Sequence, residues 1–163
     1  MKIAITGGTA GIGQALANIY TEQGHEVIVL SRRNGYNIRS LPKVAGIIEP
    51  CDMFINNAQV GFAQTELLFD VWRRWRSQQK YIVNVSTQMT DLFLPPREEW
   101  DEYIVQKKAL ESATQLLEHR SEFPRLLLVR PGSIATQPGQ EPPDYMDVNE
   151  YAQGVYKWIA KNI

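Results

Sequence analysis

The chain has 163 residues, 44% hydrophobic and 21% charged, which suits one globular domain with a sizeable core and excludes a disordered or fibrous class. With Lys+Arg at 17 and Asp+Glu at 18 the net charge is −1, so no nucleic-acid footprint is present, and the run Arg73-Arg74-Trp75-Arg76 reads as a solvated helix face. A single cysteine, Cys51, excludes an internal disulfide and a cysteine metal cluster, and His25 and His119 make no ligand spacing, so no metal is expected.

No apolar run is long enough to span a bilayer, and the N-terminus reads as a core strand rather than a signal peptide. No membrane association and a cytoplasmic setting are the expectations.

The first element is a short apolar strand over 3–5. It feeds the glycine-rich turn Thr6-Gly7-Gly8-Thr9-Ala10-Gly11-Ile12-Gly13 and then a helix over 13–23 stopped by Gly24. A helix start of this kind binds phosphate, because its unpaired amides and its dipole both favour negative charge. In that role Gly7 makes the turn, Gly11 lets the backbone approach a pyrophosphate, and Gly13 lets the helix pack on the strand. An ordinary glycine-rich turn between strand and helix is the plain alternative.

Residues 26–31 read as a buried parallel strand ending at Ser31-Arg32-Arg33. In a dinucleotide fold an acid at that strand end bonds the ribose 2′-hydroxyl of NAD, whereas arginine pairs with the 2′-phosphate of NADP. Arg32 and Arg33 with no acid favour NADP(H) over NAD(H); the alternative is that both are simply solvated.

A turn at Asn34-Gly35 precedes a β-prone piece over 36–38, and Leu41-Pro42 opens a short helix through Ile48. A strand over 52–58 follows, then a helix over 65–79 capped by Thr65, whose Trp72 and Trp75 sit at helical spacing as core or interface residues. The next strand, 81–87, ends in Ser86-Thr87. Residues 91–101, with Pro95-Pro96, read as a loop, and a helix over 102–119 leads to a strand over 125–130. A proline-rich loop over 137–145 precedes a last helix capped by Asp147, with Glu150 three residues on. Alternating strands and helices predict right-handed crossovers. The expected fold is a three-layer, doubly wound α/β Rossmann domain over 1–163, with a parallel sheet of about six strands and helices on both faces.

Tyr103-Ile104-Val105-Gln106-Lys107 places a phenol and an ammonium one helical turn apart, opening a helix that follows the Ser86-Thr87 strand end. A phenol is a poor acid–base group at neutral pH unless a neighbouring cation stabilises its phenolate, and a nearby hydroxyl can hold a carbonyl oxygen.

With these residues in view the chain resembles the short-chain dehydrogenase/reductase family along essentially its whole length. Thr6 to Gly13 is similar to that family's phosphate loop TGxxxGxG, Asn56-Asn57-Ala58 to its NNAG stretch, Tyr103 with Lys107 to YxxxK, and Pro131-Gly132-Ser133-Ile134-Ala135-Thr136 to its PGxxxT turn. Ser86-Thr87 stands where the family places its catalytic hydroxyl. The resemblance implies a reversible hydride transfer between NADP(H) and a carbonyl or alcohol, with Tyr103 as general acid or base and Lys107 lowering its pKa while bonding the nicotinamide ribose. It implies that Thr87, or alternatively Ser86, orients the substrate oxygen. It places the cofactor against Gly7, Thr9, Ala10, Gly11, Ile12 and Gly13, against Ser31, Arg32 and Arg33, and against Asn57 and Ala58. Pro131, Gly132, Ile134 and Thr136 would seat the carboxamide, and Asn37 and Ile38 the adenine.

The chain departs from the family in being short, a truncated member. The third strand and its helix are compressed between Arg33 and Asp52, and Gln59 replaces a glycine. The helix over 65–79 has no asparagine for a proton-relay water, the loop after Thr136 is too short for substrate-covering helices, and no seventh strand follows. An open, shallow site is the consequence. The resemblance also implies a homodimer through the helices over 65–79 and 102–119, with Trp72, Trp75, Leu110 and Leu117 as contributors. Two readings of function compete: an NADP-dependent oxidoreductase of a small carbonyl or alcohol, and a non-catalytic NADP(H)-binding sensor or regulatory module. Epimerase or dehydratase chemistry would call for a large C-terminal substrate domain.

Overall fold

A computed structural model of the chain describes every residue except Pro96 and Pro142, so those two prolines of the expected loops lie outside it. Among the described residues a parallel sheet of five strands runs in the order β2-β1-β3-β4-β5, formed by β1 (Lys2–Thr6), β2 (Glu26–Leu30), β3 (Met53–Asn56), β4 (Tyr81–Val85) and β5 (Arg125–Val129). The strands are apolar almost without interruption because both faces of the sheet are covered. Along β1 the side chains divide by the pleat: Ile3 and Ile5 join Met53, Ile55, Val83 and Val85 in one cluster, while Ala4 joins Phe54 and Ile82 in the other. Helices α1 (Gly11–Glu22) and α5 (Val148–Asn162) close the first face. Helices α2 (Leu41–Ile48), α3 (Ala63–Trp75) and α4 (Asp101–Glu118) close the second. A two-residue ladder, β6 (Ile134–Ala135) beside β7 (Met146–Asp147), ties the segment after β5 to the start of α5.

The doubly wound fold is as expected, and its sheet is one strand narrower. The β-prone piece 36–38 is a turn, in which the Asn37 side chain accepts the Arg39 amide at 3.0 Å and the Asn37 carbonyl accepts the Ser40 amide at 2.9 Å. These local bonds take the groups a strand would have offered to a neighbour. Ile38 is buried all the same, packed in the layer with α2.

The second helical layer also differs in detail. α3 starts at Ala63, so Thr65 lies inside the first turn rather than at the cap, and the helix ends at Trp75, short of the expected Gln79. Its end is set by Ser77, which adopts a left-handed φ of 66°, and by Trp75, whose indole N–H donates to the Glu49 carbonyl at 3.0 Å. Trp72, Trp75, Leu110 and Leu117 are buried in the chain's own core, where α3 and α4 pack on the sheet. Their expected part in a subunit interface is therefore corrected: they have no free surface to offer. No helix among the described residues is long and apolar enough to cross a membrane.

Candidate active site

In a sheet of this order the connections from β1 and β3 leave in opposite directions, and the crevice between their carboxyl ends is where open α/β sheets bind ligands. Thr6 closes the bottom of that crevice: its hydroxyl accepts the backbone amides of Asn57 and Ala58 at 3.0 and 3.1 Å, and the Asn57 side chain donates to the Thr6 carbonyl at 3.0 Å. Above it α1 begins at Gly11 after Ala10, which provides no side-chain cap, so the first amides of the helix are left for a ligand. Gly13 lies below this opening. A Cβ there would come within 2.5 Å of both the Gly7 carbonyl and the Asn57 side chain, so glycine alone fits. Gly7 holds φ at 71° and faces Asn57 and Ala58.

Two cavities open from the crevice and share Asn57 and Gln59 in their walls. The first, about 350 Å³, is bordered by Gly7, Thr9, Ala10, Asn57 and Ala58 on one side and by Ser31, Arg32, Arg33, Asn37 and Ile38 on the other. Arg32 and Arg33 sit on a short 3₁₀ turn after β2; Arg33 reaches the Thr9 carbonyl at 3.3 Å, and the Thr9 hydroxyl donates to that of Ser31 at 3.1 Å. No carboxylate stands among the described residues that line this cavity. Free helix amides, a glycine cradle and two arginines are a donor set that fits the phosphates of a dinucleotide.

The second cavity, about 230 Å³, brings together Ile12, Ser86, Thr87, Tyr103, Lys107, Pro131, Gly132, Ile134 and Thr136. Gly11 completes the join, since Thr136 lies 3.3 Å from where its Cβ would be. Burial pushes the Tyr103 phenol above its ordinary value, with hydrogen bonding from Thr87 acting in the opposite sense. Ser86 points elsewhere, donating to a Glu111 carboxylate oxygen at 2.6 Å. Of the two hydroxyls, Thr87 is the one whose hydrogen bonding bears on Tyr103, and its oxygen also accepts the Met89 amide at 3.3 Å.

Lys107 is buried, and its ammonium donates to the Gln64 side-chain oxygen at 2.9 Å and the Val85 carbonyl at 2.8 Å. Desolvation lowers its pKa to about 8, and the Glu111 charge opposes that fall. The ammonium lies 5.7 Å from the centre of the Tyr103 ring.

Gln64 and Glu111 are the site residues that the sequence analysis did not pick out. Glu111 follows Lys107 at one further helical turn, so its spacing was a legible signal. Gln64 had none: the first turn of α3 carries it to Lys107, and its amide also donates to the carbonyls of Asn56 at 2.7 Å and Val85 at 3.1 Å. Gln59 pairs with the Gln106 side chain and so bridges the crevice to α4.

No protein-family model and no curated protein matches the chain. Solved structures do, over nearly its whole length. A short-chain dehydrogenase from Burkholderia cenocepacia in complex with NADP superposes with a TM-score of 0.80 at 19% identity, covering 98% of this chain and 86% of that one. The bulky-bulky ketone specific alcohol dehydrogenase from Comamonas testosteroni gives 0.78 at 19% identity, over 98% and 82% of the two chains. A short chain dehydrogenase/reductase from Burkholderia phymatum in complex with NAD gives 0.73 at 17% identity, over 98% and 86%. The chain therefore has the fold of the short-chain dehydrogenase/reductase structures.

Proposed function

We propose that the chain is a member of that family and works as an NADP(H)-dependent oxidoreductase on a carbonyl or alcohol. The observation that carries this reading is the meeting of Tyr103, Thr87 and Lys107 in one small cavity beside the glycine loop and the turn 131–136. A module that merely bound the dinucleotide would need the first cavity and the helix amides, and no half-buried phenol with a hydroxyl and an ammonium beside it.

NADP(H), when bound, supplies or receives the hydride. Arg32 and Arg33 would pair with its 2′-phosphate, the α1 amides behind Gly11 and Ile12 with its pyrophosphate, and Asn37 and Ile38 would flank the adenine. Pro131, Gly132, Ile134 and Thr136 would hold the carboxamide end. Thr87 holds the substrate oxygen, and Tyr103 gives it a proton in reduction or takes one in oxidation. Burial raises the Tyr103 pKa, so the phenol stands in the protonated form from which a proton is given in reduction. Lys107 keeps positive charge under the site below about pH 8.

The test is a titration with NADPH and NADH read by energy transfer from tryptophan, then a screen of aldehydes and ketones with NADPH. NADPH binding at least tenfold tighter than NADH is expected. Turnover should fall by about a hundredfold or more in Tyr103→Phe while NADPH still binds, the range expected for loss of a general acid. Binding of neither cofactor would overturn the whole reading; binding without turnover, unaffected by Tyr103→Phe, would leave a sensor or regulatory module. A homodimer through the outer faces of α3 and α4 is part of the same proposal.

A further inference from the structure

We propose that Glu111 is a positioning residue of this site, its carboxylate supporting the Lys107 ammonium from one helical turn away and holding the turn that presents Thr87, with Arg130 setting how much of its charge Lys107 feels. The inference rests on the reading of Tyr103 and Lys107 as the reacting pair. Its physical content, a charge coupling between three side chains, can be measured without substrate or cofactor.

Tyr103, Lys107 and Glu111 follow one another at four-residue spacing and share a face of α4. The groups that meet Lys107 from its own and neighbouring elements are the Tyr103 ring on α4, the Gln64 amide on α3 and the Val85 carbonyl on β4. None of these carries a charge. A buried ammonium held only by neutral acceptors is costly, and a carboxylate nearby offsets part of that cost. Glu111 is the carboxylate that acts on it.

Glu111 is itself tightly held. One of its oxygens accepts Ser86 Oγ at 2.6 Å from the end of β4, Thr90 Oγ1 at 2.9 Å from the following turn, and Arg130 Nε at 3.1 Å from the end of β5. Arg130 continues to the Thr90 hydroxyl at 2.7 Å and to the Asp91 carboxylate. The side chain of Glu111 is 17% exposed and that of Arg130 is 32%, whereas Asp91 is 68% exposed, so the inner pair is sheltered and the outer one largely screened.

Two consequences follow from this arrangement. The Ser86 hydroxyl is committed to Glu111, so Thr87, whose oxygen accepts the Met89 amide at 3.3 Å, is the hydroxyl left to donate toward Tyr103. Arg130 bonds the Glu111 carboxylate directly from the end of β5, so its positive charge opposes the negative charge that Glu111 presents to its surroundings.

The experiment follows the titration of Lys107 by nuclear magnetic resonance in lysine-labelled protein, assigned with Lys107→Arg, with no ligand present. Glu111→Gln keeps the volume and an acceptor for Ser86 and Thr90 and removes the charge. It should lower the Lys107 midpoint by about one pH unit, the size expected of a partly screened pair one helical turn apart. Arg130→Gln should raise it, and the double variant should fall between Glu111→Gln and the parent chain, because the uncompensated guanidinium leaves with the carboxylate. A midpoint unmoved by both single variants, in proteins whose amide spectra show the native fold, overturns the proposal. If Glu111→Gln does not fold, Arg130→Gln alone decides: an upward shift supports the coupling and no shift refutes it. Shifts of the expected sign in a protein that reduces no carbonyl would uphold the coupling and count against the oxidoreductase reading instead. In an active enzyme the alkaline limb of kcat/KM should move with the Lys107 midpoint, which a purely structural Glu111 would not cause.

Discussion

Lys107 is the residue at which burial, charge and function meet, and its cost should be visible in stability. Its folded pKa of about 8 lies below the ordinary 10.5. Between those values the unfolded chain holds the proton and the folded chain has lost it. Stability contributed through this group therefore rises with pH across that window, by at most about 3 kcal/mol. Below pH 8 both states are protonated and the folded state bears the full desolvation cost. Lys107→Met should remove the rise, so the difference in urea midpoint between parent and variant is expected to change steadily from pH 7.5 to 10.5 and to be flat below; a difference flat throughout would show that the ammonium is not desolvated. The arginines make the opposite kind of claim, since they are exposed and stand to matter for ligand rather than for fold. Arg32→Ala with Arg33→Ala should leave the melting temperature within a degree or two, surface changes of this kind being nearly neutral. The same change should cost NADPH about tenfold or more in Kd, the scale of a lost charge-assisted phosphate contact, and leave NADH nearly unaffected. Equal losses for the two cofactors would place the arginines away from the 2′-phosphate.

At the scale of the element, what the sequence made legible was whatever local chemistry decides. The α5 start is an instance: Asp147 was readable as a cap, and its carboxylate accepts the amides of Asn149 and Glu150 at 2.9 and 3.0 Å. Asp147→Ala should cost about 1 kcal/mol. The α1 start is another, because its glycines answer to contacts one can name. Gly13→Ala drives a methyl into the Gly7 carbonyl and should cost about 2 kcal/mol or more and weaken NADPH binding, since the loop must move to admit it. Gly46→Ala at an exposed position of α2 meets nothing within 4 Å and should instead stabilise by about 0.5–1 kcal/mol. Chemical denaturation of the two variants checks the pair, and Gly13→Ala at parent stability would remove the close-packing account of the loop. Where tertiary contacts decide, the sequence was silent. The end of α3 depends on Trp75 reaching Glu49 in a different element.

For the whole molecule, the doubly wound order and the convergence of Thr87, Tyr103 and Lys107 at the carboxyl ends of the strands could be read from spacing and motif, because each signal lay within one strand-to-helix unit. Gln64 could not, since it reaches Lys107 across a gap of 43 residues. The same limit misplaced the assembly surface: apolar spacing on α3 and α4 marks a packed face without saying whether sheet or partner packs on it, and here the sheet does. What α3 and α4 leave outside is a narrower stripe. On α4, Val105 is 56% exposed and Leu116 50%, three helical turns apart on one side of the helix, with the small Ala109 and Ser112 between them. On α3, Phe62 at the helix start is 49% exposed. If two copies meet through these helices, this stripe is the surface available, and its small central residues would let two α4 helices approach closely. Light scattering at micromolar concentration should then give twice the chain mass. Val105→Asp with Leu116→Asp should give the monomer with an unchanged melting profile at low concentration, because neither side chain supports the core. A parent chain that is monomeric at tens of micromolar sinks the dimer. A dimer that survives both substitutions moves the interface elsewhere on the surface.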